Sequence, residues 1–412
     1  MAPRAAARRL DRTRQVLELM GDPQQTYPVI HITGTNGKGS VARMVTALLA
    51  ARGLNPGTYT SPHLERINER MAWSGEPIAD HDLAEVIGAV ADLEPLLDSA
   101  PTYFEILTAA AFRWFADVAV DVAVVEVGLG GRWDATNVAD GQVAVVTNVS
   151  LDHAETIGPD LTDIATEKAG IVKPGSTLVL AETNPDLFEI FQGAGAAETW
   201  VGGRQFGCRS NRQAHDGRVI DLYTPQAAYD DLYLPVHGAF QGDNAAVALA
   251  AVEAFFGAPL APEVVAEAFA GLRLPGRLEV VSRHPICVLD GAHNPAGALA
   301  ATAAVHEAFG PVASGRILVV GMLQGRDPEE MLRCFDAAGA RLVVACPPPS
   351  PRALAPSAVA DAARELGTEA EEAGSVAEAV VTALALAGPE ELVHVTGSLY
   401  VVGAARAALH TA

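Results

Sequence analysis

With 412 residues the chain is longer than one hydrophobic core serves, so two α/β domains of unequal size are expected. A formal net charge of −22, from 28 Lys and Arg against 50 Asp and Glu, excludes an extended nucleic-acid-binding face, which needs clustered cations. Half of the residues are hydrophobic, but Arg113, Asp117, Asp121 and Glu126 interrupt the longest apolar run, and residues 1–15 lack the pattern of a secretory signal; a cytoplasmic protein without a membrane span is the expectation.

In chain order, the run from Val29 to Ile32 reads as a buried strand, followed by a Gly-rich turn. Val41, Met44, Val45, Leu48 and Leu49 then recur at helical spacing up to Gly53. Apolar, β-branched runs at 122–127 and 143–146 fit a parallel sheet covered on both faces, which makes the first domain doubly wound. From about 200 to 236 short alternating stretches predict a small antiparallel addition, and an Ala-rich helix follows from Asn244. Apolar strands at 286–289, 317–320, 342–345 and 392–395 alternate with Ala-rich helices. The expected organisation is an ATP-binding domain over 1–282, a linker at 283–285 and a Rossmann-like domain over 286–412. Cys208, Cys287, Cys334 and Cys346 lie far apart, without zinc or redox spacing, and are expected to be reduced.

The segment Gly34, Thr35, Asn36, Gly37, Lys38, Gly39, Ser40 lies between a strand and a helix. It offers backbone N–H groups and a helix N-terminus to phosphate oxygens, with Lys38 as a cation for the terminal phosphates, so ATP is the expected ligand. It departs from the strict phosphate-loop pattern, since Gly39 stands where the hydroxyl normally follows Lys and Ser40 comes one place later. Glu126 ends a strand at the position of a ligand crevice, where a carboxylate can hold magnesium, though alone it reads as readily as a capping or salt-bridged group. Asp152 and His153 also end a strand, and a lone His is more often structural than a ligand. Glu167 and Lys168 alone look like an ordinary helix end. In the second half, Asp290, His293 and Asn294 sit between a strand and a helix, with N-capping as the alternative role for Asp290 and Asn294. Arg277 supplies a permanently charged fork suited to phosphate, or to a surface ion pair.

Together these segments resemble the folylpolyglutamate synthase and dihydrofolate synthase family of the Mur ligase superfamily. The motifs run in order along nearly the whole chain: His31-Ile-Thr-Gly-Thr-Asn-Gly-Lys-Gly-Ser40, Tyr59-Thr-Ser-Pro-His-Leu64, Asn68-Glu-Arg70, Val125-Glu-Val-Gly-Leu-Gly-Gly131, Asp134-Ala-Thr-Asn137, Leu151-Asp-His153, Glu167-Lys-Ala-Gly-Ile171, Pro275-Gly-Arg277, Asp290-Gly-Ala-His-Asn-Pro295 and Thr396-Gly-Ser-Leu-Tyr400. The resemblance implies a P-loop doubly wound ATPase domain and a smaller Rossmann-like C-terminal domain. It implies a reaction in which the γ-phosphate of ATP activates a carboxylate and the amine of L-glutamate attacks the acyl phosphate. Lys38, Lys168, Arg277 and His293 are then the catalytic candidates. Residues 34–40 with Asn244, Arg277, Asp290 and His293 would bind ATP. Ser40, Ser61, Glu126, His153 and a carbamylated Lys168 would hold Mg2+, with K+ as a further candidate ion. Asp134 and Ala135 are the candidates for dihydropteroate or reduced folate, and Ser398 for glutamate.

Two departures stand out. Phe240-Gln-Gly-Asp-Asn244 replaces the family's His-Asn-x-x-Asn, and Arg326 stands where the family often carries Lys. The run from Gly130 to Asn137 resembles members that also use dihydropteroate, which points to a bifunctional enzyme, expected as a monomer with no nucleic-acid or membrane partner. A Mur-type ligase with another acceptor and a nucleotide-dependent switch are the competing readings. The chain lacks the Asn-Lys-x-Asp guanine motif of a switch.

Overall fold

A computed structural model describes residues 3–152, 154–310 and 315–410. Eight strands build the first sheet: β1 (Val29–Thr33), β2 (Pro56–Tyr59), β3 (Met71–Trp73), β4 (Glu76–Pro77), β5 (Val122–Glu126), β6 (Gly141–Val146), β7 (Thr177–Leu180) and β8 (Glu198–Val201). Their spatial order is β4-β3-β2-β5-β1-β6-β7-β8. Pairing is parallel from β2 across to β8, and β3 pairs antiparallel with both β2 and β4.

Every residue of β1 and β5 is buried, because helices cover both faces of the sheet. Ile30, Ile32, Val122 and Val124 pack with the helices Lys38–Ala51 and Phe240–Phe256. Val29, Ala123 and Val125 face the opposite way, onto Leu107, Phe112 and Phe115 of the helix Tyr103–Asp117. Full burial of each such aliphatic side chain contributes about 1.5–3 kcal/mol, which is why these strands read as unbroken apolar runs. The helix Tyr103–Asp117 starts with a capping box, in which Thr102 and Glu105 exchange hydrogen bonds, and Arg12 clamps Glu105 at 2.8 Å.

The expected antiparallel addition is β9 (Gly207–Ala214), β10 (Gly217–Tyr223) and β11 (Ala228–Leu234), ordered β11-β10-β9. Ile220, Leu222, Tyr229, Leu232 and Leu234 join the core under the helix Phe240–Phe256. The third sheet contains β12 (Glu279–Arg283), β13 (Ile286–Leu289), β14 (Arg316–Val320), β15 (Leu342–Ala345), β16 (Ala370–Glu372) and β17 (Leu392–Thr396), in the order β12-β13-β17-β14-β15-β16. All its pairs are parallel except β12 with β13.

That hairpin shifts the division of the chain. Residues 283–285, expected as a linker, lie at the turn between β12 and β13, so the second α/β unit already begins at Glu279. The signal was weak because β12 is an edge strand, half-exposed along its length, without an apolar run. Among the described residues no helix is long and apolar enough to cross a membrane.

Candidate active site

Strands β2, β5, β1 and β6 are parallel neighbours, so the loops that follow them open at one edge of the sheet. The loop after β1 is tightly held. The Asn36 N–H donates to Asn148 Oδ1 at 2.9 Å, and the Asn36 carbonyl accepts from Thr147 Oγ1 at 2.6 Å and Asn148 Nδ2 at 3.1 Å. Thr35 N–H reaches Asn148 O at 3.0 Å. Gly34 (φ +153°) has no room for a side chain, since a Cβ there would lie 1.8 Å from Thr147 Oγ1. Gly37 (φ +86°) is left-handed and lies against Asn244, whose Oδ1 would be 2.7 Å from an added Cβ. Lys38, at the start of the helix Lys38–Ala51, folds its ammonium back onto the carbonyls of Gly34 (3.0 Å) and Thr35 (3.2 Å). Of the seven residues read from the sequence as a phosphate cradle, 34–37 form a hydrogen-bonded turn and 38–40 begin the helix Lys38–Ala51.

Beside it, Glu126 at the end of β5 is only 3% exposed. Burial lifts its carboxyl above the usual carboxylate range, an effect partly offset by Lys38, the Ser61 amide, Arg277 and Arg43. Its one hydrogen bond among the described residues comes from the Ser61 N–H at 3.1 Å. Ser40, Ser61 and Glu126 line one cleft together with Arg43, Glu69 and Arg277. Hydroxyls and a carboxylate are hard oxygen donors of the kind a divalent cation such as Mg2+ takes.

Lys168 ends the helix Leu161–Ala169 and is 3% exposed. Burial and the nearby Lys38 bring its pKa down from 10.5 to about 7, against the opposing pull of Asp152. His153 lies outside the described residues, and no group of three or more acidic, His or Cys side chains with metal-site spacing occurs among those described.

The second unit faces the same cleft. Gly276 (φ +66°) and Leu278 (φ +52°) form a turn that holds Arg277 half-buried, and Arg277 acts electrostatically on both Glu126 and Asp290. The Asp290 carboxylate is turned inward, accepting the N–H groups of Leu278 (3.1 Å) and Ala292 (2.9 Å), so it holds the Arg277 turn against β13. His293 bonds through Nδ1 to Gly291 O at 3.0 Å, and its Nε2 lies 3.7 Å from Asp152 Oδ2. Its pKa is lowered by close packing, so the ring is neutral near pH 7.

Three expected contacts take a different form. Asp134 is 6% exposed and its carboxylate accepts from Leu129 N (2.9 Å), Thr136 N (3.0 Å) and Thr136 Oγ1 (2.5 Å). With Ala135 buried beside it, Asp134 caps the turn 135–138 and holds the loop after β5. Thr136 also hydrogen-bonds the buried His31 Nε2 at 2.9 Å, which ties this loop under β1. Ser398 is buried, and its hydroxyl accepts from Tyr400 N at 3.2 Å, at the start of the helix Leu399–His410. Where the family carries His-Asn-x-x-Asn, the Gln241 Oε1 accepts from Asn244 Nδ2 at 2.9 Å, while the buried Gln241 Nε2 has no hydrogen-bond partner among the described residues.

Other residues of the cleft carried no assigned role at the sequence level. Arg43 looks like an ordinary helix cation, yet it lines the cleft and its charge reaches Glu126. Glu69 accepts three backbone N–H groups, from Leu64 (2.8 Å), Glu65 (2.9 Å) and Arg66 (2.8 Å), and so shapes the loop that carries Ser61. Leu64 of that loop packs into the core of the second unit, and Arg406 of the last helix pairs with Glu65.

Comparison with known proteins gives the family. The Mur ligase middle domain matches residues 32–252, and the Mur ligase, glutamate ligase domain matches residues 276–399. A dihydrofolate synthase/folylpolyglutamate synthase of Mycobacterium tuberculosis is 40% identical over 385 residues, covering 86% of this chain and 77% of that protein. The structure of Mycobacterium tuberculosis folylpolyglutamate synthase complexed with ADP and AMPPCP superposes with a TM-score of 0.92 at 38% identity, covering 97% of this chain and 95% of that one. The bifunctional folylpolyglutamate synthase/dihydrofolate synthase of Yersinia pestis, complexed with AMPPNP and Mn ion, gives a TM-score of 0.85 at 30% identity, covering 97% and 93%. The chain belongs to the folylpolyglutamate synthase/dihydrofolate synthase family of the Mur ligase superfamily, whose members are ATP-dependent ligases that join glutamate to folates.

Proposed function

We propose that this chain is a bifunctional ligase that joins L-glutamate to dihydropteroate and to the γ-carboxylate of tetrahydrofolate, using ATP and Mg2+. The observation that carries the reading is that two cations, Lys38 of the loop after β1 and Arg277 of the turn leading into the second α/β unit, act on one buried carboxylate, Glu126, which shares a cleft with Arg277. Such an arrangement suits phosphoryl transfer, where positioning and electrostatic stabilisation do most of the work.

A carboxylate oxygen of the acceptor attacks the γ-phosphorus and ADP departs, which leaves an acyl phosphate. The glutamate amine then attacks the acyl carbon, loses a proton, and phosphate leaves with the oxygen that came from the carboxylate. Lys38 would shift from its loop carbonyls to the transferring phosphoryl group, with Arg277 meeting the charge from the other side of the cleft. Glu126, Ser40 and Ser61 are the described residues that would hold Mg2+, which, when bound, neutralises phosphate charge. Lys168, with a pKa of about 7, is substantially neutral at physiological pH, and a neutral amine is the form that reacts with CO2. Carbamylation would turn a buried cation next to Lys38 into an anionic oxygen ligand.

The test is phosphate release with ATP, Mg2+ and glutamate, run in parallel with dihydropteroate, with tetrahydrofolate and without acceptor. Release with both acceptors, matched by glutamylated products in mass spectra, is expected. Release with tetrahydrofolate alone would restrict the enzyme to tail extension, and no acceptor-dependent release would favour a Mur-type ligase with another acceptor.

A further inference from the structure

Asn294 is fully buried at the N-terminus of the helix Pro295–Phe309, and all four hydrogen-bonding positions of its amide are occupied. Its Oδ1 accepts from Gly297 N at 2.8 Å, the capping bond of its own helix, and from Asn36 Nδ2 at 3.3 Å. Its Nδ2 donates to Asn36 Oδ1 at 3.0 Å and to Asp152 Oδ2 at 3.0 Å. Thus one bond serves the helix and three cross to the first unit. Asp152 is gripped a second time, by Arg326 Nη2 at 2.6 Å on Oδ1. Asn36 is the tip of the loop after β1, and its backbone is fixed from below by Thr147 and Asn148. Asp152 belongs to the loop after β6, which also holds Thr35 through Ser150.

We propose that Asn294 and Arg326 form an interdomain clasp on Asn36 and Asp152, which sets the phosphate loop in its working geometry only when the two α/β units are together. Both are positioning residues: they act on the reacting phosphates through Asn36 and through the 147–152 loop. A capping residue alone needs one acceptor oxygen, so a Ser would serve the helix as well as Asn does. The reciprocal amide pair and the bonds to a buried carboxylate are what Ser cannot make. The inference rests on the reading of residues 34–40 as the phosphate loop.

The test uses the full-length chain with Asn294→Ser, Arg326→Gln and the double variant. First, ADP binding to the wild type is measured by calorimetry; absence of binding would remove the phosphate-loop reading itself, separately from the clasp. Given binding, Asn294→Ser is expected to stay folded, because the helix cap survives, with the melting temperature lowered by no more than the few degrees that about 1–3 kcal/mol of lost buried hydrogen bonding costs. It is expected to lower kcat about tenfold or more with less than a threefold change in KM for glutamate. Arg326→Gln is expected to show the same split of kcat from KM. The double variant is expected to fall well short of the product of the two losses, since both break one device. A fully multiplicative double variant, or wild-type kcat in Asn294→Ser, would overturn the clasp.

Discussion

The two sheets present their loops to one cleft, but the site candidates Glu126 and Lys168 of the first and Asp290, Asn294 and Ser398 of the second are satisfied to different degrees. Around the first sheet, Glu126 and Lys168 are buried with few protein partners: one backbone N–H for the carboxylate, and no hydrogen bond among the described residues for the amine. At the second sheet Asp290, Asn294 and Ser398 are equally buried, but their hydrogen-bonding atoms are taken up by neighbouring backbone or by the opposite unit. Buried polar groups left short of partners are costly, and they are kept where a ligand completes them. On the proposed function, Glu126 and Lys168 are the groups that substrate and ions would complete, whereas Asp290, Asn294 and Ser398 hold the edge of the second unit in place.

The sharpest way to break this contrast is to remove one carboxylate from each side. Glu126→Gln should reduce kcat on the order of 10²–10³-fold, the size of losing one preorganised electrostatic contact. Its thermal stability should hold or rise, because the buried carboxyl is disfavoured by desolvation. Asp290→Ala should instead cost about 1–3 kcal/mol of stability by stranding two buried N–H groups. Thermal melts and steady-state rates on the same preparations check both. A stability loss at Glu126 without a rate loss would reverse the assignment of roles.

Lys168 comes next in expected size. Its folded pKa of about 7 lies below its ordinary 10.5, so the unfolded chain binds the extra proton between those values. Stability of the unmodified protein then rises with pH across that window, and the penalty is complete below about pH 7. The same titration governs carbamylation. Enzyme held at pH 6 without bicarbonate should lose most of its activity and regain it at pH 8 with bicarbonate, whereas Lys168→Ala should show no bicarbonate response. Full activity in Lys168→Ala would sink the carbamate. The smallest effect is expected at Ser398→Ala, which should cost about 1 kcal/mol, as a lost cap does, and change KM for glutamate less than twofold. A tenfold rise in that KM would return Ser398 to the glutamate site.

What could be read in advance follows from the same contrast. The strand, Gly-rich turn and helix at 29–51 were legible because local chemistry alone dictates them: a buried run, glycines at left-handed or crowded positions, then helical periodicity. The placing of Glu126 and Lys168 at one edge was legible only through motif order, since a single carboxylate or lysine has an ordinary structural alternative. The inward turn of Asp134 and Asp290 was hidden, because the sequence does not show which backbone N–H groups a loop will aim at a carboxylate. Strand β12 was hidden because a half-exposed edge strand has no apolar signature. The link between Asn36 and Asn294, 258 positions apart, has no local trace at all.

On the proposed function, the acceptor is activated as an acyl phosphate in the cleft beside Lys38 and Arg277. The direct measurement is the fate of oxygen in a single turnover with acceptor labelled with ¹⁸O in the reacting carboxylate. Transfer of one ¹⁸O atom into the released phosphate, dependent on glutamate and abolished in Lys38→Ala, is the predicted result. Label appearing in AMP, or unlabelled phosphate alongside glutamylated product, would contradict it.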